Sequence, residues 1–351
     1  MKAAILGTTG YTGMILLRLL AGHREITEIL PGSSSHAGMA LCDTDYGLSS
    51  SVLSSSVLLK TRGREGRLLS VEEVVAAKPD VVFAALPHLA SVKVCAPFFG
   101  NTPLIDLSAD LRLKDPLLFE RTYGEKPPRP DILERAVYGL AEWFTADIKR
   151  ADVIANPGCY PTATLLPLLP LSRAGLLKGL VITSALSGIS GAGRNVKQAY
   201  LFCERSENTC AYSPGRVHRH QPEIRQGLDS VAGSGLDILF TPHLVPLKQG
   251  MAVTSVAELT RPLGSDEVEA VYREAYGDRP CVRLTGDRIP ETLHVRGSNR
   301  CDIGWHIEGD RIILLSVIDN LWKGASGQAV QNMNIRFGFA EAEGLSLHGE
   351  I

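Results

Sequence analysis

Short apolar runs alternate with helix-like segments over residues 1 to 110: Ala3–Leu6, Met14–Ala21, Glu28–Leu30, Val71–Ala77 and Asp80–Ala85. That order predicts a parallel sheet covered by helices. From residue 180 onward the runs are β-branched and strand-like: Leu180–Thr183, Asp237–Phe240, Met251–Leu259, Cys281–Leu284, Asp302–Ile307 and Arg311–Ile318. Residues 265–276 carry one clear helical pattern among them, so this half predicts an α+β domain with a mixed or antiparallel sheet. Between the halves, residues 113–150 are rich in proline and charge and read as a surface excursion. A last apolar helix, Ala325–Phe339, follows a Gly-Ala-Ser-Gly turn and is expected to return to the first domain. Ser49–Ser56 reads as a loop, and no internal repeat is visible.

A chain of 351 residues exceeds the size at which one core usually stops growing, which agrees with two domains. With 44% hydrophobic and 21% charged residues and a formal charge of -2, the composition is that of a soluble enzyme. No nucleic-acid or membrane partner is expected from that balance. No apolar run approaches the ~20 residues of a membrane span, and Met1 leads straight into a strand, so the reading is cytoplasmic without a signal peptide. Seven cysteines, an odd number without CxxC spacing, fit neither a disulfide framework nor a zinc knuckle.

The first strand runs into Gly7-Thr8-Thr9-Gly10-Tyr11-Thr12-Gly13, and a helix pattern begins at once. Glycines there let a pyrophosphate approach the backbone, and the helix start offers unpaired N–H groups, so the segment predicts a dinucleotide site. A site for NAD would place a carboxylate after the second strand, but Ser33, Ser34 and Ser35 stand there. Small hydroxyl donors suit the 2′-phosphate of NADP; a flexible serine loop is the alternative.

In Asn156-Pro-Gly-Cys-Tyr-Pro161 an apolar strand gives way to a leucine-rich helix, with Cys159 at the junction. Pro161 belongs in a first helical turn, so the thiol is placed beside a helix N-terminus, where a thiolate is stabilised and becomes a nucleophile. An acid or base could come from His218 and His220, which share a face if their segment is extended. A metal pair or an ordinary surface pair are the competing readings, and no further ligand-spaced cluster accompanies them. His243 reads as structural. Two basic segments could hold an anion: Asp106–Arg112 through Arg112, and Ser187–Arg194 through Ser190, Gly191, Arg194 and the backbone N–H groups of its glycine turn.

These motifs, with Ala85-Leu-Pro-His88, Asp106-Leu-Ser-Ala-Asp110, Pro222-Glu-Ile224 and Asp319–Asn334, resemble the N-acetyl-gamma-glutamyl-phosphate reductases, relatives of the aspartate-semialdehyde dehydrogenases, over essentially the whole chain. The resemblance implies NADPH-dependent reduction of a small-molecule acyl phosphate, N-acetyl-glutamyl 5-phosphate, to its semialdehyde and inorganic phosphate in arginine biosynthesis. It implies Cys159 as nucleophile, His220 as acid/base with His218 beside it, and Leu86, Pro87 and Asn320 at the dinucleotide. Arg112 becomes a phosphate ligand and Arg194 a carboxylate ligand, and the assembly a homodimer or homotetramer. The implied fold is α/β, with a Rossmann-like NADP-binding domain over 1–155 and 325–351. An α+β catalytic and oligomerisation domain with a mixed sheet takes 156–324. Three positions depart from the family pattern: Ser-Ser-His in place of a loop arginine after the second strand, Gln249 for arginine, and Ser326 for alanine. The alternative is a carrier-protein-linked aminoadipyl-phosphate reductase of lysine biosynthesis; retention of Pro-Gly-Cys-Tyr-Pro favours the acetyl-glutamyl substrate. A sensor that kept the fold but lost the chemistry would have no use for an activated thiol.

Overall fold

The computed structural model describes residues 1–44, 60–61, 66–194, 196–233 and 235–350, so the serine-rich stretch Ser49–Ser56 lies outside the described residues. The chain divides into two compact units, Met1–Pro157 with Ala325–Leu345, and Gly158–Gly324 with Ser346–Ile351.

In the first unit β1 (Lys2–Leu6) is buried from Ala3 to Leu6 on both faces, as a central parallel strand requires. With β2 (Glu28–Gly32), β3 (Val81–Ala84), β4 (Leu104–Asp106), β5 (Val137–Tyr138) and β6 (Val153–Ala155) it builds a six-stranded sheet of order β2-β1-β3-β4-β6-β5. Every pairing in it is parallel. The chain leaves β1 for β2 on one side and returns to place β3 on the other. This reversal is where open α/β sheets bind ligands, at the carboxyl ends of the strands. Helix α1 (Tyr11–Gly22) follows β1 directly, with Ile15, Leu16, Leu19 and Leu20 buried.

Residues 113–150 correct the expectation of a surface excursion. Leu113, Phe119, Ile132, Leu133, Ala136, Tyr138 and Leu140 are buried, and Val137 and Tyr138 pair with β6. Two of the prolines start helices, Pro116 opening α2 (Pro116–Tyr123) and Pro130 opening Pro130–Arg135, while Pro127 and Pro128 lie between them outside any helix. At a first helical position the missing N–H has no intrahelical acceptor to lose.

The second unit has a mixed seven-stranded sheet, as its sequence predicts. Its members are β7 (Leu177–Gly188), β8 (Cys210–Ala211), β9 (Asp237–Val245), β10 (Met251–Leu259), β11 (Val282–Gly286), β12 (Cys301–Glu308) and β13 (Arg311–Ile318), in the order β11-β12-β13-β10-β7-β9-β8. β7–β9 and β11–β12 are parallel and the remaining pairs antiparallel. Helix α3 (Cys159–Arg173) packs against β7, β10 and β13, flanked by α4 (Gln221–Ala232) and α5 (Ser265–Tyr276).

Helix α3 contains Pro167 and Pro170 and yet continues to Arg173. Pro170 has no N–H to give the carbonyl of Leu166, and the hydroxyl of Tyr276 on α5 donates to it at 2.6 Å. Tyr272 donates to the next carbonyl, Pro167, at 2.5 Å, with its ring stacked on Trp305. Two tyrosines thus solvate a stretch of helix that proline disrupts.

Candidate active site

The glycine turn after β1 separates what the fold needs from what a ligand would need. Gly7 has φ +86°, and a Cβ there would lie 2.3 Å from the Ala85 carbonyl oxygen; a Cβ on Gly13 would lie 2.3 Å from that of Gly7. Both are glycine because backbone meets backbone. Gly10 differs. It caps α1 in an ordinary extended conformation, and the nearest atom to a Cβ there is 3.7 Å away. The protein itself leaves that approach open, and the first turn of α1 has no acidic residue to repel an anion. These residues therefore fit a dinucleotide pyrophosphate.

Thr8 is buried and donates to the carbonyls of Ile5 (2.9 Å) and Gly32 (3.2 Å), tying the turn to both strands. Thr9, Thr12 and Leu86 are half-buried, and Tyr11 and Pro87 are exposed. Ser326, the residue that stands for alanine, donates to the Thr12 carbonyl at 2.9 Å. Ser33 is buried and accepts the N–H of His36, so it shapes the loop after β2. Ser34 and Ser35 are exposed, and the Ser35 hydroxyl is 2.7 Å from His36 Nδ1. The motifs at 85–88 and 106–110 meet: His88 Nδ1 is 2.7 Å from Asp110 Oδ1, and Asp110 also accepts the N–H groups of Leu89 and Val92. Burial pushes the Asp110 carboxyl up, but these hydrogen bonds outweigh it and hold the pKa below the usual value.

In the second unit Cys159 is the first residue of α3, half-buried, directly behind the cap residue Gly158. Thr162 returns its N–H to the Gly158 carbonyl at 3.0 Å, closing the first turn. The backbone of Gly324, in the π-helical turn Trp322–Ser326, lies so near that a Cβ there would be 2.7 Å from Cys159 Cβ.

His218 and His220 meet, but by a different route from the extended one considered above. A 3-10 turn, Gly215–Val217, precedes His218, and His220 is the cap of α4. Their rings are 5.0 Å apart, and both face Tyr160, at 5.5 and 5.8 Å. His218 Nδ1 accepts the backbone N–H of His220 at 3.2 Å. Burial, helped by Arg219, pushes the His218 pKa down to about 4, so this ring is neutral near pH 7. Tyr212 donates to Tyr160 Oη at 3.0 Å, and burial pushes the Tyr212 pKa up to about 12.

Tyr212 carries no motif signal and was legible only in the fold. Glu223, in Pro222-Glu-Ile224, has no role that the sequence assigns. It is fully buried, and its Oε1 accepts the Gly158 N–H at 2.9 Å.

The anion-binding expectations change in two places. Arg112 donates from Nε to the Asn156 carbonyl (2.9 Å) and from Nη2 to the Leu107 carbonyl (2.8 Å). It braces the backbone that leads to the cysteine, and two of its donors are taken from the phosphate role. Three amides at the end of β7 and in the turn after it are likewise spent: Gly188, Ile189 and Ser190 donate to the carbonyls of Gly250, Leu247 and Lys248. Asn320 holds the same turn, donating to Ser190 Oγ at 3.0 Å and accepting the Gly250 N–H at 2.8 Å. Both ends of its amide are used within this unit. Gly191 and Arg194 are exposed. Gln249, which replaces a family arginine, donates to Asp319 Oδ2 at 2.8 Å. His243 lies on β9 opposite Leu186.

Two family profiles match the chain: semialdehyde dehydrogenase, NAD binding domain, over residues 2–151, and semialdehyde dehydrogenase, dimerisation domain, over 159–320. The chain is 43% identical to N-acetyl-gamma-glutamyl-phosphate reductase of Desulfotalea psychrophila over 354 aligned residues, 99% of this chain and 98% of that one. It is 44% identical to the protein of that name from Halorhodospira halophila, over 98% and 97% of the two chains. In fold it is similar to aspartate semialdehyde dehydrogenase II from Vibrio cholerae, with TM-score 0.72 and 18% identity over 96% of this chain and 98% of that one. Aspartate semialdehyde dehydrogenase with NADP from Candida albicans matches with TM-score 0.69 and 16% identity over 95% and 98%.

Proposed function

This chain belongs to the semialdehyde dehydrogenase family, among its N-acetyl-gamma-glutamyl-phosphate reductases, and on that basis we propose how its residues carry the reaction. It is an acyl-phosphate reductase of arginine biosynthesis that uses a nicotinamide dinucleotide to reduce N-acetyl-glutamyl 5-phosphate to the 5-semialdehyde, releasing phosphate. The observation that carries the residue assignment is Cys159 at the start of α3, with His218, His220 and Tyr212 gathered around the neighbouring Tyr160.

Cys159 Sγ, favoured as thiolate by the helix start, attacks the acyl carbon, and the carbon–oxygen bond to phosphate breaks to leave a thioester. NADPH, when bound, would supply the hydride that this carbon takes up. His220 gives a proton to the resulting oxyanion and takes it back as the thiohemiacetal collapses to aldehyde and thiolate. His218 is neutral and accepts the His220 N–H, so it orients the acid and does not replace it. Arg194 is the candidate for the substrate carboxylate. The turn Gly7–Gly13, with Leu86 and Pro87, would hold the dinucleotide, Gly10 admitting the pyrophosphate. Ser34 and Ser35 support a preference for NADP, since no carboxylate follows β2.

The second unit exposes an apolar sheet face. Leu180, Ile182 and Leu186 of β7 and Leu239 of β9 point the same way and are between 41% and 50% exposed. Such a face suits association of two copies, giving a homodimer or a multiple of one, in the cytoplasm. No described helix is long and apolar enough to cross a membrane.

The test is the reverse reaction: purified protein with N-acetyl-glutamate semialdehyde, phosphate and NADP, followed by absorbance of the reduced nicotinamide. Reduction that requires phosphate and is abolished by Cys159→Ser supports the whole reading. Phosphate-independent reduction, or a Cys159→Ser variant at native speed, overturns the mechanism.

A further inference from the structure

Cys159 and His220 belong to different helix starts, and productive chemistry needs them in fixed register. One side chain connects the two. Glu223 lies in the first turn of α4, three residues after the His220 cap, and is fully buried. A glutamate at this helical position commonly turns back towards the amide of its own cap residue. Here Oε1 reaches across to the amide of Gly158, 2.9 Å away, and Gly158 both caps α3 and immediately precedes Cys159. The hydrogen bond therefore closes a short bridge that runs Cys159, Gly158, Glu223, His220.

Resting on the reading of Cys159 as nucleophile and His220 as acid/base, we propose that Glu223 is a positioning residue for acyl transfer, fixing the cysteine against the histidine through the Gly158 N–H. Its useful property is reach. A negative charge beside a thiolate opposes ionisation of that thiol, so charge alone gives no benefit to the nucleophile. A carbonyl oxygen in the same place would accept the same N–H. The binding of the dinucleotide, assigned to the glycine turn of the other unit, does not depend on this bridge.

Two conservative variants separate reach from charge. Glu223→Gln keeps the length and an acceptor oxygen and loses the charge; Glu223→Asp keeps the charge and withdraws the acceptor by one methylene. In the phosphate-dependent reverse assay Glu223→Gln is expected within about fivefold of the native kcat. Glu223→Asp is expected to fall by about 10²-fold, the scale of a 1 Å misplacement. KM for NADP should stay unchanged in both. An aspartate variant as fast as or faster than the glutamine variant overturns the proposal, as does native kcat in both. Cys159→Ser is assayed alongside: native-speed turnover in that variant rejects the nucleophile reading itself. An inactive Cys159→Ser with aspartate outrunning glutamine rejects the positioning role alone.

Discussion

Gly227 of α4 lies so close to Leu165 of α3 that a Cβ at position 227 would stand 2.5 Å from Leu165 Cδ1 and 3.0 Å from Cδ2. The contact lies about one turn beyond Glu223 along α4 and about two turns beyond Gly158 along α3, so the two helices are registered at two points.

Gly227→Ala should therefore destabilise the protein, although alanine in a helix is normally favoured over glycine by about 1 kcal/mol. Overpacking against the fully buried Leu165 costs about 1–3 kcal/mol, so the net loss is expected near 1 kcal/mol. A thermal melt reads it as a lower Tm, and the reverse assay as a lower kcat with KM for NADP unchanged. A rise in Tm would show that Leu165 can move aside.

Tyr276→Phe should cost about 1–3 kcal/mol, because it leaves the Leu166 carbonyl without the donor that Pro170 cannot provide. Urea unfolding followed by tryptophan fluorescence is the measurement. Stability equal to that of the native protein would mean that the carbonyl finds water.

The neutral state of His218 makes stability depend on pH. Its folded pKa, about 4, lies below the unfolded value of 6.5, so between those values the unfolded chain binds the extra proton. The contribution is complete above pH 6.5 and is lost as pH falls towards 4, up to about 3 kcal/mol at 1.36 kcal/mol per unit. Native protein should lose more unfolding free energy between pH 7.5 and 5.0 than His218→Gln. Parallel losses would place the ring in a more solvated setting.

The glycine turn offers a separation of roles. Gly10→Ala should fold normally and raise KM for NADP by about tenfold, since its side chain enters the approach reserved for pyrophosphate. Gly13→Ala should lose stability instead, its Cβ standing 2.3 Å from the Gly7 carbonyl oxygen and 2.7 Å from Thr8 Cα, both backbone atoms. Unchanged KM in Gly10→Ala would remove the pyrophosphate from that position.

Local features were legible in the sequence because their causes are local. Three glycines around a helix start, and a cysteine between a strand and a helix with proline in its first turn, declare themselves within a few residues. Residues 113–150 read as a surface excursion because proline is a loop former, whereas Pro116 and Pro130 occupy a first helical position, where no intrahelical hydrogen bond is lost. The amides of Gly188, Ile189 and Ser190 looked available because the carbonyls that take them come from residues 247–250, about sixty positions away in the chain. The acceptors of Arg112 are likewise backbone oxygens that no side-chain pattern reveals. Tyr212 and Glu223 acquire meaning only when β8 and α4 arrive beside α3.

The tyrosine hydroxyls that complete α3 have a consequence for synthesis. A ribosome delivers Leu166 and Pro167 long before their donors, which lie 110 and 105 residues further on. The helix that begins at Cys159 gains these two donors only when α5 docks, so on the nascent chain this cysteine stands at the start of an unfinished helix.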